Sequence, residues 1–120
     1  MGIYLWIAAG SALGGVGRYL LSDVVLRSAE TGGVPWPTIL VNVTGSFAIG
    51  WVAAAVPAEN AELRLFVMTG VLGGYTTFSA FSLQTLDLAQ RGEWAAAAVN
   101  VVASVALCLG AVALGFRAGA

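Results

Sequence analysis

The segment GVLGGYTTFSAFS, which runs from Gly70 to Ser82, lies in the middle of an apolar stretch long enough to cross a membrane. Its thirteen positions hold three glycines and four serine or threonine residues, a composition that weakens a helix. Irregular backbone persists inside a bilayer only where it is buried in protein or lines a water-filled cavity. Interrupted helices of this kind hold ion and substrate sites in transport proteins. The segment therefore predicts a broken membrane helix beside a site for an ion or small solute.

The composition of the whole chain indicates an integral membrane protein. Of its 120 residues, 59% are hydrophobic and 9% are charged. About 20 apolar residues are needed to cross a hydrocarbon core of ~30 Å, and four stretches reach that length. We therefore expect an all-α membrane protein with four transmembrane helices, the third one broken, that forms a single integral membrane domain over residues 1–120. The predicted spans cover residues 3–22, 36–56, 63–86 and 94–116.

The charged residues give a nearly balanced signal for orientation. The formal net charge is −1, and all five basic residues are arginines. Orientation normally follows an excess of basic residues in the cytoplasmic loops. Two interpretations remain open: a weak bias selects one orientation, or the chain inserts both ways and opposed copies pair. Arg64 and Arg117 belong to the side of the termini, and Arg18, Arg27 and Arg91 belong to the other side.

The acidic residues exclude several classes of membrane protein. A proton-coupled exporter needs an intramembrane carboxylate as a relay, and a membrane-embedded enzyme needs acids, histidine or paired nucleophiles. The chain has no histidine and one cysteine, so neither a zinc pattern nor a disulfide is expected. Neither an enzyme nor a nucleic-acid partner is expected. The carboxylates fall in the connections or at span ends, at Asp23, Glu30, Glu59, Glu62, Asp87 and Glu93.

Two polar stripes run along predicted spans at i, i+4, i+8 spacing, which aligns each stripe on one helix face. They have two interpretations. Such side chains form interhelical hydrogen bonds worth ~0.6–2 kcal/mol each; alternatively, stripes that are rich in donors and free of acids suit a permeating anion better than a cation. The second span carries Thr38, Asn42 and Ser46, and the fourth carries Asn100, Ser104 and Cys108.

Glycines and aromatic rings around the central segment add two further expectations. The GxxxG of Gly10 and Gly14 predicts close helix packing, whereas the pair Gly73-Gly74 predicts the position of the break and frees carbonyls that can bind a cation. Phe78 and Phe81 share a helix face directly after it. Such rings usually face lipid or the protein core, but their positive edges also suit a dehydrated anion.

The third-span pattern GxxGGxTTFSxFS, at residues 70–82, closely resembles the signature of the bacterial fluoride channels, the Fluc or CrcB family. The GxxxRY of residues 14–19 and the TxxxNxxG of residues 38–45 also resemble that family, and the likeness extends over the whole chain. It implies a passive channel that exports toxic fluoride across the bacterial inner membrane, built as an antiparallel homodimer in the lipid bilayer.

The resemblance also implies roles for particular residues. The backbone carbonyls of Gly73 and Thr76 from both chains would hold a structural sodium ion, Na⁺. The fourth span departs from the family pattern at two positions, with Asn100 where many members have tyrosine and Cys108 where serine is common. The fluoride pore would be lined by Asn42, Phe78, Phe81 and Ser104, with Thr38 and Ser79 as further donors.

Two alternatives from other classes are weighed against this expectation. A small four-helix proton-coupled multidrug exporter has a similar size, but it needs a glutamate in its first span, and residues 1–22 contain none. A non-transporting structural membrane protein would explain the composition. It would give no reason for a helix break in the middle of the third span.

Overall fold

The computed structural model describes residues 2–27 and 33–120 of the chain. This part of the chain is folded almost entirely as helices, which confirms the expected all-α membrane class. Each of the four predicted spans overlaps one helix. Glu30, which is expected in the first connection, lies outside the described residues. The helices are α1 (Gly2–Tyr19), α2 (Trp36–Ala55), α3 (Ala61–Gln90) and α4 (Trp94–Gly119).

Helix length and composition fit a membrane. Among the described residues, α2, α3 and α4 are long and apolar enough to cross a bilayer. The 18-residue α1 is not in that group, but it continues as a π-helical turn over Leu20–Val25. The molecule is 49 Å long, close to the ~40–45 Å of a bilayer with its headgroups. The four-span topology stays a prediction.

Glycines allow two pairs of helices to pack closely, α1 against the first half of α3 and α2 against α4. A Cβ atom on Gly14 would lie 1.9 Å from the Val71 carbonyl oxygen, and one on Gly115 would lie 2.0 Å from that of Phe47. Backbone cannot move aside as a flexible side chain can, so only glycine fits at both positions. Gly10 also meets α3 backbone, which agrees with the packing role expected of the GxxxG.

The ends of the helices are satisfied by specific contacts. Arg64, at the start of α3, donates from Nη1 to the Val56 carbonyl at 2.6 Å and to the Ala53 carbonyl at 3.3 Å. These oxygens belong to the C-terminal end of α2, where helical partners are lacking. Between α3 and α4, Gly92 has φ 77° and the Glu93 N–H donates to the Leu88 carbonyl at 2.8 Å, a Schellman turn.

The third helix is interrupted, but three residues after the position that the pair Gly73-Gly74 predicts. Thr76 (φ −83°, ψ 157°) and Thr77 (φ −149°, ψ 116°) are extended. They separate α3a, residues 61–75, from α3b, Phe78–Gln90. Gly73 and Gly74 are themselves helical. A Cβ on Gly74 would lie 2.6 Å from a carbonyl oxygen of α1, so this glycine permits helix contact. The break itself falls on two β-branched residues, which favour extended backbone.

Candidate ion site at the break in α3

The second half of α3 starts with a side-chain cap. The Thr77 hydroxyl oxygen accepts a hydrogen bond from the Ala80 N–H at 3.1 Å. Threonine at this position satisfies one of the backbone donors that a helix start leaves without a partner. Inside a bilayer no water takes that role, so the cap decides where α3b can begin.

Asn42 of α2 satisfies the extended backbone of the break. Its Nδ2 donates to the Thr77 carbonyl at 3.0 Å, and its Oδ1 accepts from the Thr77 N–H at 2.8 Å. One amide side chain thus pairs both backbone groups of a residue outside regular helix. Its second Nδ2 proton is not used by this pair and is free for another acceptor.

These side-chain bonds release two carbonyls from their helical partners. In a continuous helix the Thr77 N–H would donate to the Gly73 carbonyl, and the Ala80 N–H would donate to the Thr76 carbonyl. Both donors are instead bound to side-chain oxygens, those of Asn42 and Thr77 respectively. Free carbonyl oxygens at an unwound helix are the ligands that bind Na⁺ in broken transporter helices. The carbonyl oxygens of Gly73 and Thr76 are therefore suitable ligands for a sodium ion.

Arg18 of α1 approaches the same region from the other side. Its Nε donates to the Gly74 carbonyl at 3.4 Å, and the residue is half-buried. The helical partner of that carbonyl would be the N–H of Phe78, which lies beyond the break. Arg18 therefore replaces a backbone donor that the break takes away.

A cavity of about 390 Å³ opens beside the break, between α2, α3 and α4. Two of the predicted site residues do not line it. Thr38 is buried in α2, and Ser79 is exposed on α3b with its hydroxyl 3.3 Å from that of Thr77. The other six predicted residues all line this cavity: Asn42, Gly73, Thr76, Phe78, Phe81 and Ser104.

The two phenylalanines stand at the start of α3b and form a tilted pair. Their ring centroids are 5.3 Å apart, with an interplanar angle of 44°. Phe78 is 78% exposed in the single chain, whereas Phe81 is half-buried. A ring with that exposure is available to a ligand, to lipid or to another copy of the chain.

The polar stripe of α4 divides between two roles. Asn100 is fully buried, and its Nδ2 donates to the Thr85 hydroxyl at 2.9 Å, while Thr85 donates to the Phe81 carbonyl at 2.7 Å. This chain of bonds joins α4 to α3b. Ser104 lines the cavity, but its hydroxyl donates to Asn100 Oδ1 at 3.4 Å. Ser104 must therefore release Asn100 before it can donate to an anion.

Several residues at the site are absent from the set that the sequence predicted. Ser46 and Cys108 belong to the two polar stripes and line the cavity with the predicted residues. Thr77 caps α3b and binds Asn42, and Thr85 links α3b to α4. A threonine directly before a helical run is a known start signal, so the N-cap rule alone was sufficient to find Thr77.

Fold and site together define an all-α membrane protein with a break in the middle of one membrane helix and, beside the break, a mostly apolar cavity that carries a few amide, hydroxyl and carbonyl groups. This is the arrangement of proteins that handle ions. Residues 5–116 match the model of the family described as CrcB-like protein, Camphor Resistance (CrcB). The chain belongs to this family, as the sequence patterns predict.

Curated relatives share about half of their residues with this chain. It is 54% identical to the fluoride-specific ion channel FluC of Opitutus terrae, over 96% of this chain and 90% of that protein. It is 53% identical to the protein of the same name from Paramagnetospirillum magneticum, over 93% of this chain and 91% of the relative. A third FluC, from Methylocella silvestris, is 50% identical over 93% and 88% of the respective chains.

Proposed function

We propose that this protein is a fluoride-selective channel that lets fluoride flow passively out of the bacterial cell across the inner membrane. The observation that carries the proposal is the 54% identity, over 96% of this chain, to a fluoride-specific ion channel. The cavity beside the break supports the proposal, because amide and hydroxyl groups lie there together with two aromatic rings. No observation favours the exporter or the structural protein.

The cavity offers fluoride replacements for its water shell. A selective passage must provide donors at successive points, since a small anion is strongly hydrated. Asn42 can give its second Nδ2 proton without breaking its bonds to Thr77. The edges of Phe78 and Phe81 add a weak positive potential. Ser104 is a further donor once its hydroxyl turns away from Asn100. Thr38 and Ser79 do not line the cavity of the single chain, so in the proposed route they donate to fluoride outside that cavity.

We further propose that two copies, inserted in opposite orientations with four spans each, form the working channel. The nearly balanced arginines support insertion both ways up. Phe78 is 78% exposed near the middle of α3, and Gly73 is exposed at the cavity wall. A second copy that covers this face would close the groove and shield the route from lipid.

The proposed dimer also gives a reason for the released carbonyls. One chain offers the Gly73 and Thr76 oxygens, and an opposed copy would double that set around a single sodium ion. When bound, the ion supplies a fixed positive charge, which lowers the cost of placing an anion in a medium of low dielectric constant. The chain itself positions the oxygens through Asn42 and Thr77.

The role of the rings is tested by Phe78→Ile and Phe81→Ile, measured as fluoride efflux per assembled dimer in liposomes. Isoleucine keeps the bulk and the apolar character but removes the positive ring edge, so we expect flux to fall while the dimer persists. Leu83→Ile is the matched control, since Leu83 is 67% exposed on the same helix and does not line the cavity. Unchanged flux in both phenylalanine variants would place the pathway elsewhere.

A further inference from the structure

One turn of α2 contacts three successive residues at the break. Asn42 binds the backbone of Thr77, and a Cβ on Gly45 would lie 2.3 Å from the Thr76 methyl group. The third contact joins the Thr44 hydroxyl to the Tyr75 hydroxyl at 2.8 Å. Asn42 and Gly45 belong to the TxxxNxxG pattern of residues 38–45. Thr44 and Tyr75, by contrast, occupy x positions of that pattern and of the GxxGGxTTFSxFS pattern of residues 70–82.

The direction of the third hydrogen bond follows from the acceptors around Thr44. Its Oγ1 lies 2.9 Å from the Leu40 carbonyl and 3.0 Å from the Val41 carbonyl, and both oxygens can only accept. The single proton of Thr44 therefore points at its own helix backbone. The Tyr75 hydroxyl must then be the donor to Thr44.

Tyr75 is held at three points. Its ring atoms Cδ2 and Cε2 lie 3.2 and 3.5 Å from the place of a Cβ on Gly45, and its backbone nitrogen lies 2.8 Å from the place of a Cβ on Gly14. The hydroxyl at Thr44 is the third point. Because Tyr75 is the last helical residue before the extended Thr76, fixing it sets the direction in which the chain leaves α3a.

We propose that Thr44 and Tyr75 are positioning residues for the cation site at the break. Their hydrogen bond holds the end of α3a against α2, so that the Thr76 carbonyl keeps its aim at the ion. The inference rests on the proposed function, specifically on sodium bound by Gly73 and Thr76. In the single chain Thr44 is exposed and Tyr75 is half-buried, and both lie within helices long and apolar enough to cross a membrane. Lipid offers no partner to a phenol that loses Thr44, so the bond between the two hydroxyls is costly to break there.

The test measures the sodium concentration that gives half-maximal thermal stabilisation of the purified dimer, with choline as the replacement cation. Tyr75→Phe and Thr44→Val each remove one hydroxyl and keep the shape. We expect each to raise the sodium midpoint roughly three- to tenfold, the effect of one lost hydrogen bond. The double variant should be no worse than either single variant, because both act through the same bond.

Two controls separate positioning from general packing. Thr44→Ser keeps the acceptor and should restore a midpoint within about twofold of the parent. Thr69→Val removes an exposed hydroxyl elsewhere on α3a and should leave the midpoint unchanged.

Two results overturn the inference while the sodium site stands: variant midpoints equal to that of a sodium-dependent parent, or additive effects in the double variant. A parent dimer that responds equally to sodium and choline overturns the proposed sodium site and this inference together.

Discussion

Replacing Asn42 by leucine tests how the break is held open. The change keeps a side chain of similar size but removes both hydrogen bonds to Thr77, at 2.8 and 3.0 Å. It leaves one N–H and one C=O without partners in a part-buried site within a membrane helix. Each such group costs about 1–3 kcal/mol, so we expect the free energy of unfolding to fall by about 2–6 kcal/mol.

The assay is an equilibrium unfolding titration in detergent micelles, followed by helicity. Ser46→Ala is the matched control, because Ser46 lies one turn further on the same face and lines the same cavity. The structure gives its hydroxyl no hydrogen bond within residues 2–27 and 33–120, so we expect a change within about 0.5 kcal/mol. An Asn42→Leu protein as stable as the parent, or a Ser46→Ala protein equally destabilised, would refute this account of the break.

Asn42→Asp refines the same test. The carboxylate keeps an acceptor for the Thr77 N–H but places an oxygen 3.0 Å from the Thr77 carbonyl, where Nδ2 now donates. It also puts negative charge beside the proposed anion route, where the low dielectric constant screens it weakly. Fluoride flux per folded dimer should therefore fall further than in the Phe78→Ile protein, and parental flux would exclude Asn42 from the route.

Three further predictions concern the helix contacts. Gly14→Ala should lower the free energy of unfolding by about 1–3 kcal/mol or more through overpacking, since its Cβ would lie 1.9 Å from α3 backbone. A Cβ on Gly15 would have no atom within 4 Å, so Gly15→Ala should leave the free energy of unfolding unchanged or raise it by up to about 1 kcal/mol. Equal losses of stability in the Gly14 and Gly15 variants would contradict the close packing of α1 against α3. Asn100→Leu should cost about 1–3 kcal/mol, because the Thr85 hydroxyl loses the group that donates to it and the Ser104 hydroxyl loses its acceptor. Adding Thr85→Val should recover part of that loss in the same titration. Arg64→Ala should lower the melting temperature, because two carbonyls at the end of α2 lose their donor at a cost of about 0.5–2 kcal/mol. An unchanged melting temperature would mean that another group donates to those carbonyls.

The helical class could be predicted from the sequence because a bilayer leaves a chain few options. Long apolar stretches must satisfy their backbone internally, so their length alone indicates helices. The position of the break was less accessible. The glycine pair explained a weak helix, but Gly74 is used for contact with α1. The break lies instead where Thr77 can cap α3b and Asn42 can reach the backbone.

The two asparagines show where sequence reasoning about the site stopped. Both lie on stripes of the same spacing, but Asn42 lines the cavity, whereas Asn100 is fully buried against Thr85. Which face of α4 meets the cavity depends on how α4 is rotated against α2, and that rotation is set by contacts such as Gly115 on the Phe47 backbone. Spacing within one helix carries no information about it.

Anion efflux from liposomes that contain the purified protein tests the central proposal most directly. Vesicles loaded with potassium fluoride or potassium chloride are compared, with a potassium ionophore to carry the counter-charge and no pH gradient. A passive fluoride channel releases fluoride rapidly and retains chloride, because only the smaller anion can exchange its water for the donors and ring edges of the route. Equal efflux of both anions, or fluoride release that requires a proton gradient, would contradict the proposal.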